Sequence, residues 1–316
     1  MNIILLMLPI LLIVLSGYIS ALCGFLPEES NDMFTRFIFF VAMPGQLFLD
    51  FSQTPISDTI NLSYIGSFAL SVLIIGGVTF LYARYFLKES LAESALSVMG
   101  AAQVNTAYFA IPLFILVFNN SAPVIPILIF QVTILTTIIL LMIEHEIKKQ
   151  KRKKYLLIDI LVIAIKNPII IASIIGLICS FFSIQAPEII NKFFTLLGST
   201  AAPLALFALG QSLNYDLRRI TKKNYIELFM LGLSKLIIHP LVAFIIGRYI
   251  FKLSHFWLAS LIIMAAMPSP KNMFIFSVKY KLNTKKAASI VASTTLMSFV
   301  TLNLIMILFK KYLNVI

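Results

Sequence analysis

Polar residues are sparse along this chain and arrive in short clusters. Between the clusters run apolar stretches of about 20 residues or more, each long enough for a helix to cross the roughly 30 Å hydrocarbon core of a bilayer. The pattern predicts ten such segments: 2–25, 33–51, 62–86, 91–117, 122–146, 159–183, 187–213, 224–250, 256–279 and 284–312. The alternation with period two that marks a transmembrane barrel does not occur. The first segment has no basic n-region, and its apolar part is too long for a signal peptide, so it reads as a spanning helix. The longest connection, "EHEIKKQKRKKYL", divides the chain near its middle. A first block at 1–146, a basic linker at 147–158 and a second block at 159–316 follow from that division.

The two blocks repeat each other. "LPILLIVLSG", with Pro9 and Gly17, matches "NPIIIASIIG", with Pro168 and Gly176, at an offset of 159. The same offset carries "AMPGQLF" onto "AAPLALF" and so Phe48 onto Phe207. Further along, an offset of 164 carries "ARYFLK" onto "GRYIFK" and Ala101–Ala102 onto Ala265–Ala266. Five segments per block is an odd number, so the second block enters the membrane inverted. The predicted fold class is an all-α membrane protein of ten transmembrane helices, arranged as two inverted five-helix repeats. Inverted repeats place a substrate site near the midplane, where discontinuous helices meet.

Composition excludes the soluble classes. Hydrophobic residues make up 60% of the 316 residues and charged residues only 12%, against about 25% in soluble domains. The net charge of +12 reflects the collection of basic residues on the cytoplasmic side of membrane proteins. With the central linker cytoplasmic, 18 of the 25 lysines and arginines lie inside, five outside and two within the membrane. Both termini then lie outside the cytoplasm. The run "KKQKRKK", Lys148 to Lys154, suits anionic lipid headgroups, and the aromatics do not interleave with basic residues as in a nucleic-acid surface. Cys23 and Cys179 lie in separate segments and suggest neither a disulfide nor a metal site.

The candidate chemistry sits in segments four and nine. "GAAQVNTAYFAIPLF" places Gln103, Asn105, Thr106 and Pro112 in one span, and "MAAMPSPKNMFIF" places Pro268, Ser269, Pro270, Lys271 and Asn272 in the other. Proline removes a backbone donor and breaks a helix. Unwound backbone at membrane depth is tolerated only against protein or a wet cavity. Two half-helices starting there would point bare N–H groups and positive dipole ends inward, an arrangement that favours an anion. Lys271 adds a full charge, although it also lies close enough to the cytoplasmic end to extend towards it. Lys235 and His239 are four apart in "SKLIIHP" and share a helix face. They suit a proton relay, or a structural tie between helices, with Asp50 a candidate partner at the outer boundary. His145 and His255 sit at membrane ends, and Trp257 fits an interfacial anchor. No zinc-ligand spacing, phosphate loop or nucleophile–base pair is present, so neither a cofactor nor an enzyme is expected.

These segments resemble the auxin efflux carrier family. "VNTAYFAIPL" is similar to its Asn-Thr-x-x-x-Gly-Ile-Pro-Leu motif, with Ala110 in the glycine position. "AAMPSPKNMFIFSVKYKLN" resembles its second crossover, and "FQVTILTTIILLMIE" its fifth helix, with Gln131 and Glu144. The resemblance covers essentially the whole chain. It implies a compact bacterial inner-membrane carrier with a fold like the bile acid–sodium symporters. Helices four and nine would be broken and cross one another. Small organic anions (malonate, malate or auxin-like acids) would move by elevator-like alternating access. It also implies site roles for Asn105, Gln131, Pro112, Pro268 and Pro270, and is compatible with a homodimer. Lys271 departs from the small or neutral residue expected there and favours an anion of more than one charge. The competing readings are a sodium-coupled symporter of the bile-acid type, a sensor that keeps the same fold, and an intramembrane enzyme.

Overall fold

A computed structural model describes residues 3–53, 61–118, 120–147, 168–217 and 225–313, and every regular element among them is helical. Seven stretches are long and apolar enough to cross a membrane: Glu28–Gln53 (α2), Leu62–Phe86 (α3), Leu91–Phe118, Val124–Glu146 (α6), Glu188–Asn214, Leu228–Ile250 (α10) and Thr284–Leu308. Three shorter apolar helices fall on the remaining predicted segments, at Leu8–Leu22, Pro168–Phe181 (α7) and His255–Ala265 (α11). The first belongs to α1 (Ile3–Leu22). Most of the basic linker and the first part of segment six lie outside the described residues.

The described chain forms two compact units. The first comprises Met1–Asn61, Ala107–Ile129 and Leu161–Tyr215. It contains α1, α2, α5 (Ile111–Phe118), α7, α8 (Glu188–Ser199) and α9 (Ala201–Leu217). Lipid tails supply no hydrophobic drive between helices, so close backbone packing has to hold such a bundle together. Three glycines provide it. A Cβ on Gly17 would strike the Phe207 carbonyl oxygen, one on Gly210 the Val14 carbonyl oxygen, and one on Gly176 would lie 2.8 Å from the Phe48 carbonyl oxygen. Thus α1 packs backbone to backbone on α9, and α7 on α2. Asn31 Nδ2 adds a 2.6 Å hydrogen bond to the Ala208 carbonyl, and Gln211 Nε2 donates to Ser30 Oγ at 3.2 Å.

The second unit comprises Leu62–Thr106, Phe130–Ile160 and Asp216–Ile316. It holds α3, α4 (Leu91–Ala102), most of α6, α10, α11, α12 (Asn272–Lys279) and α13 (Thr284–Leu313). Both α3 and α10 finish in a π-helical turn, Tyr82–Phe86 and Ile246–Ile250. Each turn is followed by a left-handed lysine, Lys88 at φ 55° and Lys252 at φ 50°. Those lysines are 164 residues apart, the offset of the second sequence match. In the first unit Gly24 (φ 70°) and Ser183 (φ 54°) end α1 and α7 in the same left-handed way, 159 residues apart. The repeat offsets therefore recur in backbone conformation, where apolar composition alone would not produce them.

Charged side chains collect around one group of helix ends in the second unit. Lys286 pairs with Glu89 and donates to Ser97 Oγ at 2.8 Å. Glu93 accepts from the Asn283 N–H at 2.7 Å, Glu146 from the Ala92 N–H, and Glu144 from the Tyr280 hydroxyl at 2.9 Å. These residues surround the start of α4 and the α12–α13 connection.

Candidate functional site

Helix α4 stops at Ala102 because Gln103 adopts an extended backbone (ψ 150°), and no helical turn resumes until Thr106–Ala110. Helix α11 stops at Ala265, where Pro268 and Pro270 remove the donors that would continue it. Both spans are therefore interrupted, as their polar and proline residues predict. The two interruptions also meet: the Asn105 N–H donates to the Pro268 carbonyl at 2.9 Å.

Every backbone group released this way at depth needs a partner. The Val104 N–H donates to Gln131 Oε1 at 2.6 Å, and Gln131 Nε2 returns a 3.5 Å contact to the Val104 carbonyl. The Gln131 amide thus stands in for a strand of backbone. It opens a π-helical turn, Gln131–Leu135, a type of bulge frequent at functional sites. Gln103 Nε2 donates to Thr136 Oγ1 at 2.8 Å, while its buried Oε1 has no donor among the described residues. On the other span, Ser269 Oγ donates to the Gly100 carbonyl at 2.6 Å, and the Ser269 N–H donates to Thr294 Oγ1 at 3.2 Å. A Cβ on Gly100 would press on Met273 and Ile290 at 3.1–3.2 Å. Gln103, Asn105, Thr106, Gln131 and Ser269 are all buried.

The predicted site residues therefore divide. Gln103, Asn105, Thr106, Gln131, Pro268 and Ser269 come together around the joined breaks. The Pro270 carbonyl accepts the Met273 N–H at 3.1 Å and leads into α12. Lys271 is half-buried at the residue preceding α12, and Asn272 is exposed at its first position. Pro112 belongs to the first unit, buried in α5 just after the π-helical turn Thr106–Ala110. Sequence reasoning missed Thr136, Thr294 and Gly100. Their signal was weak, because hydroxyls and glycines in spans ordinarily serve packing.

Lys235 and His239 are fully buried on a stretch of α10 whose π-helical turn, Ser234–Ile238, contains the lysine. Lys235 Nζ lies 3.2 Å from His239 Nδ1 and 3.4 Å from the Ala265 carbonyl oxygen, the last of α11. His239 Nε2 lies 3.2 Å from Ser71 Oγ, which donates to the Phe68 carbonyl at 2.7 Å. Asp50, the candidate partner in sequence, is instead engaged by Gln46 and Ser121 in the first unit. The described residues contain no cluster of histidine, cysteine and carboxylate side chains able to hold a metal.

Comparison with known proteins covers the whole molecule. The profile of the family described as "Membrane transport protein" matches residues 2–306. The "Putative malonate transporter" of Rhizobium meliloti is 23% identical over 97% of this chain and 95% of its own length. An uncharacterized transporter of Methanocaldococcus jannaschii is 24% identical over 93% of this chain and 95% of its own. The uncharacterized transporter YfdV of Escherichia coli K12 is 22% identical over 93% of this chain and 94% of its own.

Proposed function

The chain belongs to the membrane transport protein family, the auxin efflux carriers that its motifs resemble, and from that premise we propose that it is a secondary carrier of small carboxylate anions. Malonate, the substrate in one relative's name, is the first candidate, with malate and auxin-like acids beside it. Ten spanning helices in two inverted repeats would build it, with both termini outside the cytoplasm of a bacterial inner membrane.

The observation that carries this reading is the hydrogen bond from Asn105 to Pro268. It joins the two breaks, at Gln103–Thr106 and Ala266–Pro270, inside one compact unit, among neutral polar side chains. No acidic residue lies between Gln103 and Thr106 or between Ala266 and Lys271, which argues against the carboxylate-containing sodium sites of a bile-acid-type symporter. The repeat reading draws support from the glycine contacts. Gly17 packs on Phe207 and Gly176 on Phe48, and both members of this exchange are related by the offset of 159. Asn105 and Thr106 would face the anion, Ser269 would brace the second break against Gly100, and Gln131 would hold the first break open. Lys271 and Asn272 would supply charge and donors at the start of α12. The unit containing both breaks would be the part that moves in an elevator-like cycle.

Uptake of radiolabelled malonate, malate and indole-acetate into proteoliposomes tests the reading. Saturable uptake of at least one, competed by the unlabelled acid, is the expected result. If none of the three is carried under any gradient, the carboxylate reading fails.

A further inference from the structure

We propose that Lys235 and His239 form the site through which this carrier binds a proton together with its anion. The inference rests on the carboxylate reading above, and it adds the coupling ion.

The geometry allows two proton distributions along one hydrogen-bonded chain. In the charged one, the Lys235 ammonium donates to the Ala265 carbonyl and to His239 Nδ1. The Nε2–H of His239 then donates to Ser71 Oγ, and Ser71 donates to the Phe68 carbonyl. In the neutral one, His239 carries its proton on Nδ1 and donates to the lysine amine, which still donates to Ala265. Ser71 turns its hydroxyl to Nε2. A histidine between a lysine and a serine can adopt both tautomers, so the pair holds or releases one proton while the chain stays connected.

Charge decides which distribution prevails. None of the ion pairs among the described residues includes Lys235. Among the described residues its contacts are His239 Nδ1 and the carbonyl end of α11, where the helix dipole is negative. A lone buried charge is costly. The break begins at Ala266, the residue after the carbonyl that Lys235 touches. An anion bound there lowers the cost of the ammonium, and by reciprocity the ammonium favours the anion. The amine lone pair takes a proton from hydronium on the side to which the break is open and releases water. Once the anion leaves on the other side, the ammonium returns that proton to water.

Other titratable groups on the surrounding helices are distant in sequence from the pair. The stretch of α10 that carries it packs against α3, α4, α11 and α13. Helix α3 has Tyr64, seven residues before Ser71, and Tyr82, Arg84 and Tyr85 at its end. Helix α4 has Glu93, and α11 has His255 at its start. Helix α13 has Lys285 and Lys286 near its start and Lys310, Lys311 and Tyr312 near its end. Arg248 and Tyr249 lie at the end of α10 itself.

The test reads protons and malonate together, in proteoliposomes with a trapped pH dye and radiolabelled malonate. The wild type is expected to move about one proton with each malonate. Lys235→Met and His239→Gln should lower that ratio by about tenfold or more. Malonate movement by the wild type without protons overturns the proposal, as does an unchanged ratio in a folded Lys235→Met protein. If malonate is not carried at all, the carboxylate reading loses its first candidate and a second measurement decides the proton site. The chain has three histidines, so His145→Asn with His255→Asn leaves His239 alone for nitrogen NMR. Its proton is expected to shift from Nε2 to Nδ1 as pH is raised over the range in which the protein stays folded, and Lys235→Met should abolish that shift. A tautomer that stays fixed across the range overturns the proposal.

Discussion

Two lysines are buried in the same unit, and they are balanced in different ways. Lys286 is 4% exposed and pairs with the Glu89 carboxylate, with Ser97 completing the contact. Lys235 is 0% exposed and meets a histidine nitrogen and a backbone carbonyl. A carboxylate fixes an ammonium at any ordinary pH. A carbonyl and an imidazole favour it only weakly, so its charge depends on what else arrives. The first arrangement ties α4 to α13, and the second stands at the edge of the joined breaks. The difference separates a permanent charge, which shapes the unit, from a conditional one, which can take part in a cycle.

The largest expected effect comes from removing the partner of the permanent charge. Glu89→Ala leaves the Lys286 ammonium without its carboxylate and should cost about 3–5 kcal/mol of unfolding stability in detergent. The double change Glu89→Leu with Lys286→Met should recover most of that loss, because an apolar pair of similar volume avoids desolvation altogether. A Glu89→Ala protein within about 1 kcal/mol of the wild type would erase the distinction between the two lysines.

A neutral side chain calibrates the comparison. Gln131→Ala strips the Val104 N–H and carbonyl of their partner, and each buried group left unpaired costs about 1–3 kcal/mol. Thermal unfolding should report a clear loss, of the same order as that of Glu89→Ala. A negligible loss would mean that the first break does not depend on Gln131. Lys235→Met should come next, with a loss smaller than that of Glu89→Ala: it removes the desolvation cost of a buried ammonium but leaves the Ala265 carbonyl and His239 Nδ1 without that contact. A loss as large as that of Glu89→Ala would make Lys235 a lock of the same kind as Lys286.

The spans were legible in the sequence because apolar length is a local property, and the breaks because proline and asparagine stand out in apolar surroundings. The offset of 159 was legible through Pro9, Gly17, Pro168 and Gly176, and left-handed backbone recurs at that offset at Gly24 and Ser183, and at 164 at Lys88 and Lys252. What stayed hidden were pairings between distant segments. Nothing local reveals that the Gln131 amide matches Val104, or that Ser269 reaches Gly100. The π-helical turns were invisible too, since one extra residue in a turn leaves no pattern in an apolar run. For Lys235, charge complementarity pointed to Asp50. The structure supplies a carbonyl made available by a broken helix, a partner that no residue type announces. Lys271 was read as part of the break by its position in sequence, whereas α12 begins just after it and leaves it half-buried.

The smallest effect sharpens the picture at the helix ends that hold Lys286. Tyr280 follows α12 and donates its hydroxyl to Glu144 at 2.9 Å. Burial, then the hydrogen bond to Glu144 and its negative charge, push the phenol up from 10.0 to about 12. A group whose folded value is raised contributes stability that is fully present below its unfolded value and lost as pH climbs through the folded one. The contribution of Tyr280 should therefore hold to about pH 10 and fade towards about pH 12. Tyr280 is only partly buried, so solvent screens the interaction and keeps it small. Tyr280→Phe should cost about 0.5–1 kcal/mol at pH 8, and the gap between variant and wild type should narrow above about pH 10. Melting curves of the two proteins at both ends of that range measure it. A gap that widens at high pH would mean that Tyr280 is not the donor to Glu144. The peripheral contacts around Lys286 would then be held by its ion pair with Glu89 rather than by a shared network, and the contrast with Lys235 would rest on that one carboxylate.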